Sequence, residues 1–299
     1  MKIVQSFWTR PYMRPGPDPT YSGLNAGWHH RIHNYYSWGL SCLQLRKFYD
    51  QVELVTDDLG KEILIDRMAL PYTSVSVALN ELADCDAGTW SLGKLHAYRI
   101  QKEPFLHVDG DIFIFGKFDR RIEEAPLTAQ NPDYNYPGYR DVARTIWEGF
   151  TYLPDYFKPV YEEQKGDCCN MGITGGTDVG FFQQWVDEAF IFFQENKDFI
   201  VRANKELDPI LANIVLEQGL YYYYARHHQR EITYLFPNER NNPRDIGFFH
   251  AAAANNNYVH CYGFYKGLRT SYASLEWKLK SDYPWYHRRI RDLVASFQI

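Results

Sequence analysis

The first 115 residues alternate between short apolar runs and longer segments in which apolar side chains recur at helical spacing. Five runs rich in β-branched or aromatic residues predict strands: residues 2–8, 51–56, 71–77, 105–108 and 112–115. The spacing predicts helices over 28–49, 62–68 and 92–101. Strands that alternate with helices are typical of βαβ units. The pattern therefore predicts an α/β fold with a Rossmann-like, mostly parallel central sheet flanked by helices.

The second half of the chain also predicts helices and strands, but here two long helices precede two short strands. Residues 181–196 and 208–226 predict amphipathic helices, and 233–236 and 258–260 predict strands. Residues 131–138, rich in Asn, Tyr and Pro, predict a loop. Because no repeat, low-complexity tract or linker interrupts the chain, we expect a single domain over residues 1–299.

Composition removes several classes of function. The net charge is −5, and the only basic run is Arg288–Arg289–Ile290–Arg291, so the sequence argues against a nucleic-acid partner. Five irregularly spaced cysteines predict reduced thiols in a cytoplasmic protein rather than a zinc site. The chain has no apolar run of about 18 residues, so we predict no membrane span. Peripheral docking on a membrane stays open.

Aromatic residues are unusually frequent, at 17% of the chain, with 24 Tyr, 19 Phe and 8 Trp. Most of them are expected in the core. Some can line a carbohydrate site, because a ring stacks on the apolar face of a sugar and a Tyr hydroxyl bonds its edge.

The strongest chemical signal is the acidic pair Asp109 and Asp111 around Gly110, between two apolar runs. Carboxylates framed in this way are costly to bury unless a cation neutralises them. Side chains at i and i+2 of an extended segment point to the same side, so both can reach one Mg²⁺ or Mn²⁺ ion. The plainer interpretation is a tight turn with two solvated aspartates.

Three stretches, together with this acidic pair, resemble nucleotide-diphospho-sugar glycosyltransferases of the GT-A fold, and most closely the family 8 (glycogenin-like) pattern. They are Lys94–Tyr98 leading through an apolar strand to Asp111, Cys169–Gly176 with its Asn-x-Gly, and His260–Lys266 as H-x-x-G-x-x-K. The family usually has Ala between the two aspartates and Pro after the final lysine, whereas Gly110 and Gly267 stand here.

The resemblance implies a role for each matching residue. Asp109, Asp111 and His260 would hold Mn²⁺ or Mg²⁺, while Gly263 and Lys266 would contact the diphosphate of a UDP-sugar. It also implies that residues 1–118 form the nucleotide-binding half, 119–270 the half that binds the donor sugar and the acceptor, and 271–299 a C-terminal helical segment.

Four further candidates complete the predicted site. Lys94 would balance the charge of the leaving diphosphate, and Asp57, after the second strand, would contact the nucleoside unless it serves only as a turn residue. Asn170 would lie near the donor sugar and the acceptor. Glu217 would contact the sugar or act as a base, unless it lies on a solvated helix face.

The function implied is metal-dependent transfer of a sugar to a hydroxyl of a glycan or glycolipid, with retention of anomeric configuration. Two alternatives stay open: a phosphatase of the haloacid-dehalogenase type, which normally has Gly-Thr after the second aspartate, and a non-catalytic protein that binds carbohydrate or nucleotide-sugar. The H-H-x-x-H at residues 29–33 lacks the glutamate of a metalloprotease and predicts a partly exposed helix start.

Overall fold

A computed structural model describes residues 1–12, 25–134, 149–158, 167–206, 209–237 and 246–299. The strands within these ranges are β1 (Lys2–Phe7), β2 (Val52–Thr56), β3 (Ser74–Ser76), β4 (Phe105–Val108), β5 (Ile112–Ile114), β6 (Thr128–Asp133), β7 (Cys168–Gly176), β8 (Thr233–Tyr234) and β9 (Tyr258–His260).

The helices in the same ranges are α1 (Arg31–Phe48), α2 (Asp58–Lys61), α3 (Ser91–Arg99), α4 (Arg120–Glu123), α5 (Val179–Glu195), α6 (Lys197–Glu206), α7 (Pro209–Ile214), α8 (Leu220–His227), α9 (Arg269–Asp282) and α10 (Pro284–Ala295). Two π-helical segments, Glu62–Arg67 and Val215–Gly219, follow α2 and α7. No helix of the described residues combines the length and the apolar character needed to cross a membrane.

The chain forms two compact units. Unit 1 consists of Met1–Ala83, Val108–Phe118 and Pro243–Ile299, and unit 2 of Asp84–His107 and Asp119–Asn242. The prediction that these units make one domain stays a prediction.

Unit 1 has three parallel strands in the order β3-β2-β1 and a separate antiparallel pair, β5 and β9. Helix α1 is buried at thirteen of its eighteen positions, because its sequence is apolar or small on nearly every face. Its core neighbours include side chains of β1, β2, α9 and α10. The strand predicted over 112–115 is observed as β5, which pairs with β9 after the turn.

The strands of unit 2 follow the order β4-β7-β6-β8. Residues 105–107 of β4 belong to this unit. Strand β6 is antiparallel to β7 and parallel to β8. The predicted loop over 131–138 is wrong for residues 131–133, which form strand β6 because they pair with 168–170 of β7. Residues 135–138 of that loop lie outside the described ranges.

Helix α5 begins at Val179, where the Asp178 carboxylate accepts a hydrogen bond from the Phe181 N–H at 3.0 Å, as an N-cap residue does. The predicted helix over 208–226 is observed as α7, the π-helical segment and α8, with Asp208 outside the described ranges. Parallel pairing of β1, β2 and β3, with helices between the strands, confirms the α/β class.

Candidate metal centre

Asp109, Gly110 and Asp111 form a tight turn between β4 and β5. The Ile112 N–H donates to the Asp109 carbonyl at 3.1 Å and closes the turn. Two buried side chains fix it further: the Ser37 hydroxyl donates to the Gly110 carbonyl at 2.7 Å, and the Gln5 amide donates to the Asp109 carbonyl at 3.4 Å. The turn is therefore held by groups from β1 and α1 and has little freedom to move.

The glycine of this turn lies against the indole of Trp38. A Cβ at Gly110 would come within 2.6–2.7 Å of three atoms of that ring. Heavy atoms in contact normally lie about 3.5–4.0 Å apart, so there is no room for a side chain here. The indole thus explains why glycine stands where the resembling family usually has alanine.

Strand β9 brings His260 to the acidic pair. In the antiparallel β5–β9 ladder, Ile112 is the partner of His260, and the Cys261 N–H donates to the Asp111 carbonyl at 3.0 Å. The His260 Nε2 atom lies 3.4 Å from Asp111 Oδ1, and the ring is 3% exposed. One ligand atom each from Asp109, Asp111 and His260 lies within 4.8 Å of the others.

Lys266 supplies the positive charge at this cluster. Its Nζ lies 2.8 Å from Asp111 Oδ2 and donates to the Ala26 carbonyl at 3.1 Å. Burial alone would raise the pKa of Asp111, but Lys266 and His260 outweigh it and hold that pKa well below its ordinary value. Burial lowers the pKa of Lys266, but Asp111 more than offsets this and the pKa is raised, so both groups are charged.

Gly263 begins the short 3₁₀ turn, Gly263–Gly267, that carries Lys266. Its φ is +51°, a conformation that residues with a side chain rarely adopt, and a Cβ there would meet no atom within 4 Å. The backbone at Gly263 is therefore open to the close approach of a ligand.

The donor set fits a divalent cation. Two carboxylates and an imidazole nitrogen are ligands that Mn²⁺ accepts, and Mg²⁺ prefers oxygen donors. The charge on Asp111 is retained in the buried site, so the carboxylate is ready to bind a cation. Asp109, Asp111 and His260 form the one His/Cys/Asp/Glu cluster of this size found among the described residues.

Asp57, also in unit 1, has its carboxylate in structural hydrogen bonds. One oxygen accepts from the Gly60 N–H at 2.8 Å as the N-cap of α2, and the other accepts from the N–H and hydroxyl of Thr9 at 2.9 and 2.7 Å. The structure thus shows the turn role that the sequence allowed. Its contact with a nucleoside stays a prediction.

Lys94 and Glu217 meet within unit 2. The Lys94 Nζ lies 3.3 Å from Glu217 Oε1, and the Tyr98 hydroxyl donates to the same oxygen at 2.7 Å. Glu217 is fully buried in the π-helical segment, so the solvated face considered from the sequence is wrong for this residue. Burial, aided by Lys94, lowers the pKa of His107 in the same cluster well below its ordinary value.

Asn170 lies on β7, where its Oδ1 accepts from the Gly172 N–H at 2.9 Å. This bond shapes the Asn-x-Gly stretch locally and occupies one lone pair of the amide oxygen. The catalytic role predicted for Asn170 and Glu217 stays a prediction.

Sequence reasoning missed Ser37, Trp38, Gln5 and Tyr98, which hold the functional side chains in place. A hydrogen-bonding residue within a buried strand or helix gives no local signal of its partner, which lies far away in the chain. The one available signal was Gly110, because a glycine inside an apolar run often marks a close approach by another group.

None of the five cysteines, all of which lie in the described ranges, forms a disulfide in the structure. Burial, the largest effect in each case, raises the pKa of Cys42, Cys168, Cys169 and Cys261. These thiols are therefore protonated and poor metal ligands.

Three solved structures similar to this chain are glycosyltransferases. They are mouse xyloside xylosyltransferase 1 in its apo form (TM-score 0.44, 10% identity, covering 87% of this chain and 96% of that one), the galactosyltransferase LgtC with donor and acceptor sugar analogues (0.42, 10%, 99% and 96%), and the glycosyltransferase GlyE of Streptococcus pneumoniae TIGR4 (0.37, 8%, 99% and 64%). Scores and identities of this size do not establish an activity.

No curated protein matches the chain by sequence. A family model described as "Family of unknown function (DUF6734)" matches residues 1–293. The chain therefore belongs to the DUF6734 family.

Proposed function

We propose that the protein is a metal-dependent glycosyltransferase that moves a sugar from a UDP-sugar to a hydroxyl of a glycan or glycolipid. One observation carries this proposal: Asp109, Asp111 and His260 present ligand atoms within 4.8 Å of one another, with the Lys266 ammonium 2.8 Å from Asp111. Three potential metal ligands beside a partly buried ammonium group are what a site for a metal-bound diphosphate needs.

Asp109, Asp111 and His260 would hold Mn²⁺ or Mg²⁺, and the bound ion would supply a Lewis acid that neutralises charge on the diphosphate. Lys266 places a second positive charge at the same point, which favours departure of the diphosphate as the sugar–phosphate bond breaks. The open backbone at Gly263 gives the phosphates space to approach.

We assign three further side chains to the donor sugar and the acceptor. Lys94, Glu217 and Asn170 carry an ammonium, a carboxylate and an amide, which together can donate to and accept from sugar hydroxyls. The partly exposed Lys94 compensates the charge of the fully buried Glu217. Asp57 would contact the nucleoside, and the family 8 resemblance implies that the anomeric configuration is retained.

A protein that binds only carbohydrate has no use for a metal-and-lysine diphosphate site, whereas a non-catalytic protein that binds nucleotide-sugar would share this site and differ only in the absence of sugar transfer. We propose a cytoplasmic location, because five irregularly spaced cysteines are typical of reduced thiols in that compartment.

The experiment is a calorimetric titration with UDP, with and without Mn²⁺, on the unaltered chain and on Asp111→Asn. The matched control is Asp66→Asn, which removes an exposed carboxylate of a surface ion pair. We expect UDP to bind only with Mn²⁺, Asp111→Asn to lose that binding, and Asp66→Asn to keep it.

A transfer assay with a panel of UDP-sugars and oligosaccharide acceptors then separates the enzyme from the binding protein. Sugar transfer that Asp111→Asn abolishes supports the proposal. Metal-dependent UDP binding with no hydrolysis or transfer would favour the non-catalytic alternative, and metal-independent UDP binding would contradict the proposed metal site.

A further inference from the structure

Helix α10 and the residues that follow it carry an open surface cavity that the proposed glycosyl transfer does not use. It has a volume of about 390 Å³ and belongs wholly to unit 1. Its lining combines an aromatic ring, two guanidinium groups, a carboxylate and neutral polar groups: Trp285, Arg288, Arg289, Asp292, Leu293, Ser296 and Gln298. This volume lies within the range of small-molecule sites.

The charges of the lining leave a net positive cavity. Arg291 binds the Asp292 carboxylate through two nitrogens, at 2.8 and 3.0 Å, and so neutralises it. Arg288 is exposed and has no ion pair or hydrogen bond with any residue in the described ranges. Arg289 donates only to the Arg67 carbonyl, at 2.6 Å, so its charge also remains uncompensated there. Guanidinium groups bind carboxylates and phosphates through paired hydrogen bonds.

An aromatic face adjoins these guanidinium groups. Trp285 is 49% exposed, and the Arg289 guanidinium carbon lies 5.2 Å from the centre of its ring. A cation over an indole is a favourable contact that holds both groups in place. The exposed part of the ring offers an apolar surface of the kind on which the C–H face of a sugar packs.

The far end of the cavity is fixed by the way that α10 ends. The Phe297 backbone turns with φ +56°, and the Gln298 N–H donates back to the Leu293 carbonyl at 3.0 Å. The Ser296 hydroxyl donates to the Asp292 carbonyl at 2.8 Å. Ser296 and Gln298 therefore belong to an ordered helix end, and the buried Ile299 follows them.

The helix itself orients a ligand. Carbonyl groups at the C-terminal end of α10 carry partial negative charge and disfavour an anion there. An anionic group is thus favoured at Arg288 and Arg289 in the middle of the helix. Hydroxyl groups are favoured at this end, because the last carbonyls and the Ser296 oxygen accept hydrogen bonds and the Gln298 amide both donates and accepts them.

We propose that this cavity binds an acidic sugar, that is, a sugar ring bearing a carboxylate or a phosphate, with the oxyanion on Arg288 and Arg289 and the ring against Trp285. Aromatic, guanidinium and hydroxyl groups in one cavity match the three kinds of surface that such a ligand presents. This site is separate from the proposed metal centre, and its occupation requires neither metal nor nucleotide.

The test measures sugar binding by calorimetry in EDTA, without nucleotide. The probes are a disaccharide containing glucuronic acid, glucose 6-phosphate, neutral maltose and inorganic phosphate. We expect saturable binding of at least one acidic sugar and at least tenfold weaker binding of maltose. The acidic sugar that binds more tightly shows whether the site prefers a carboxylate or a phosphate.

Two variants of the cavity and two control variants assign the binding. Arg288→Gln changes an exposed residue and should weaken the acidic sugar at least tenfold, and Trp285→Ala should do so as well. Lys280→Gln removes an exposed charge from the neighbouring α9 and should change affinity less than twofold. Asp111→Asn should have no effect, which keeps this result distinct from that of the metal centre.

Four outcomes would overturn the proposal. They are the absence of saturable binding by either acidic sugar, equal losses in Arg288→Gln and Lys280→Gln, and inorganic phosphate binding as tightly as glucose 6-phosphate. The fourth is sedimentation with phosphatidylglycerol vesicles that Arg288→Gln abolishes while no sugar binds, which would assign these residues to a membrane surface.

Discussion

Replacing Gly110 by alanine tests whether Trp38 fixes the geometry of the acidic turn. The added Cβ would lie 2.6–2.7 Å from Cε2, Cζ2 and Cη2 of a nearly buried indole. Relief of that overlap requires a movement of about 1 Å by the ring or by the turn, since carbon atoms in contact prefer about 3.5–4.0 Å. Overpacking of this kind costs about 1–3 kcal/mol.

We expect Gly110→Ala to lower the free energy of unfolding by that amount and to weaken Mn²⁺ binding about tenfold or more, because metal ligands tolerate displacements of only about 0.5 Å. Urea denaturation measures the first quantity and calorimetry the second. Gly267→Ala is the matched control, because a Cβ there would meet no atom within 4 Å. It should leave both quantities almost unchanged.

A double-mutant cycle with Trp38→Leu identifies the cause. Trp38→Leu alone leaves a cavity and destabilises the fold, but in that background Gly110→Ala fills space that the indole has vacated. We expect the two costs to be less than additive by at least about 1 kcal/mol. Additive costs, or a Gly110→Ala variant as stable as the parent, would refute the role assigned to Trp38.

The remaining predictions concern charge. Lys94→Met should lower the free energy of unfolding by about 3–5 kcal/mol in urea denaturation, because it leaves the buried Glu217 without its ammonium partner. Adding Glu217→Gln should recover part of that loss. A loss below about 1 kcal/mol would argue that this ion pair does not stabilise the fold. Lys266→Met should lower kcat about 100-fold or more in the transfer assay with little change in UDP-sugar specificity, and an unchanged kcat would exclude its role in leaving-group stabilisation. Burial lowers the pKa of His33, two neighbouring histidines act in the same direction, and a glutamate opposes them. Below about pH 6.5 the unfolded chain therefore binds the extra proton first, so stability should fall as the pH drops and His33→Gln should flatten that fall in denaturation curves.

The acidic pair and its partners could be predicted because each lies in a short pattern with its own chemistry. Asp109 and Asp111 are close in sequence, and His260 and Lys266 belong to one H-x-x-G-x-x-K stretch. In the structure the β5–β9 pairing places these two stretches beside each other. Periodicity also located most strands and helices to within a few residues, since apolar spacing reports which face is buried.

The pairing of distant polar groups could not be predicted. In the sequence, Glu217 is simply a carboxylate on a predicted amphipathic helix. Its contacts with Lys94 and Tyr98 arise only in the folded structure. In the same way, residues 131–133 have loop composition, yet their backbone pairs with β7. Tertiary pairing overrides local preference in such segments, because the partner strand supplies hydrogen bonds that no local pattern reveals.

Unit 1 is assembled from three separate stretches of chain, and this has a consequence for synthesis. Asp111 leaves the ribosome about 150 residues before His260 and Lys266. At roughly 5–20 residues per second, that delay is on the order of ten seconds or more. During this delay β5 lacks its partner strand β9. The apolar residues beside the acidic turn are therefore exposed to binding by chaperones until the last fifth of the chain is synthesised.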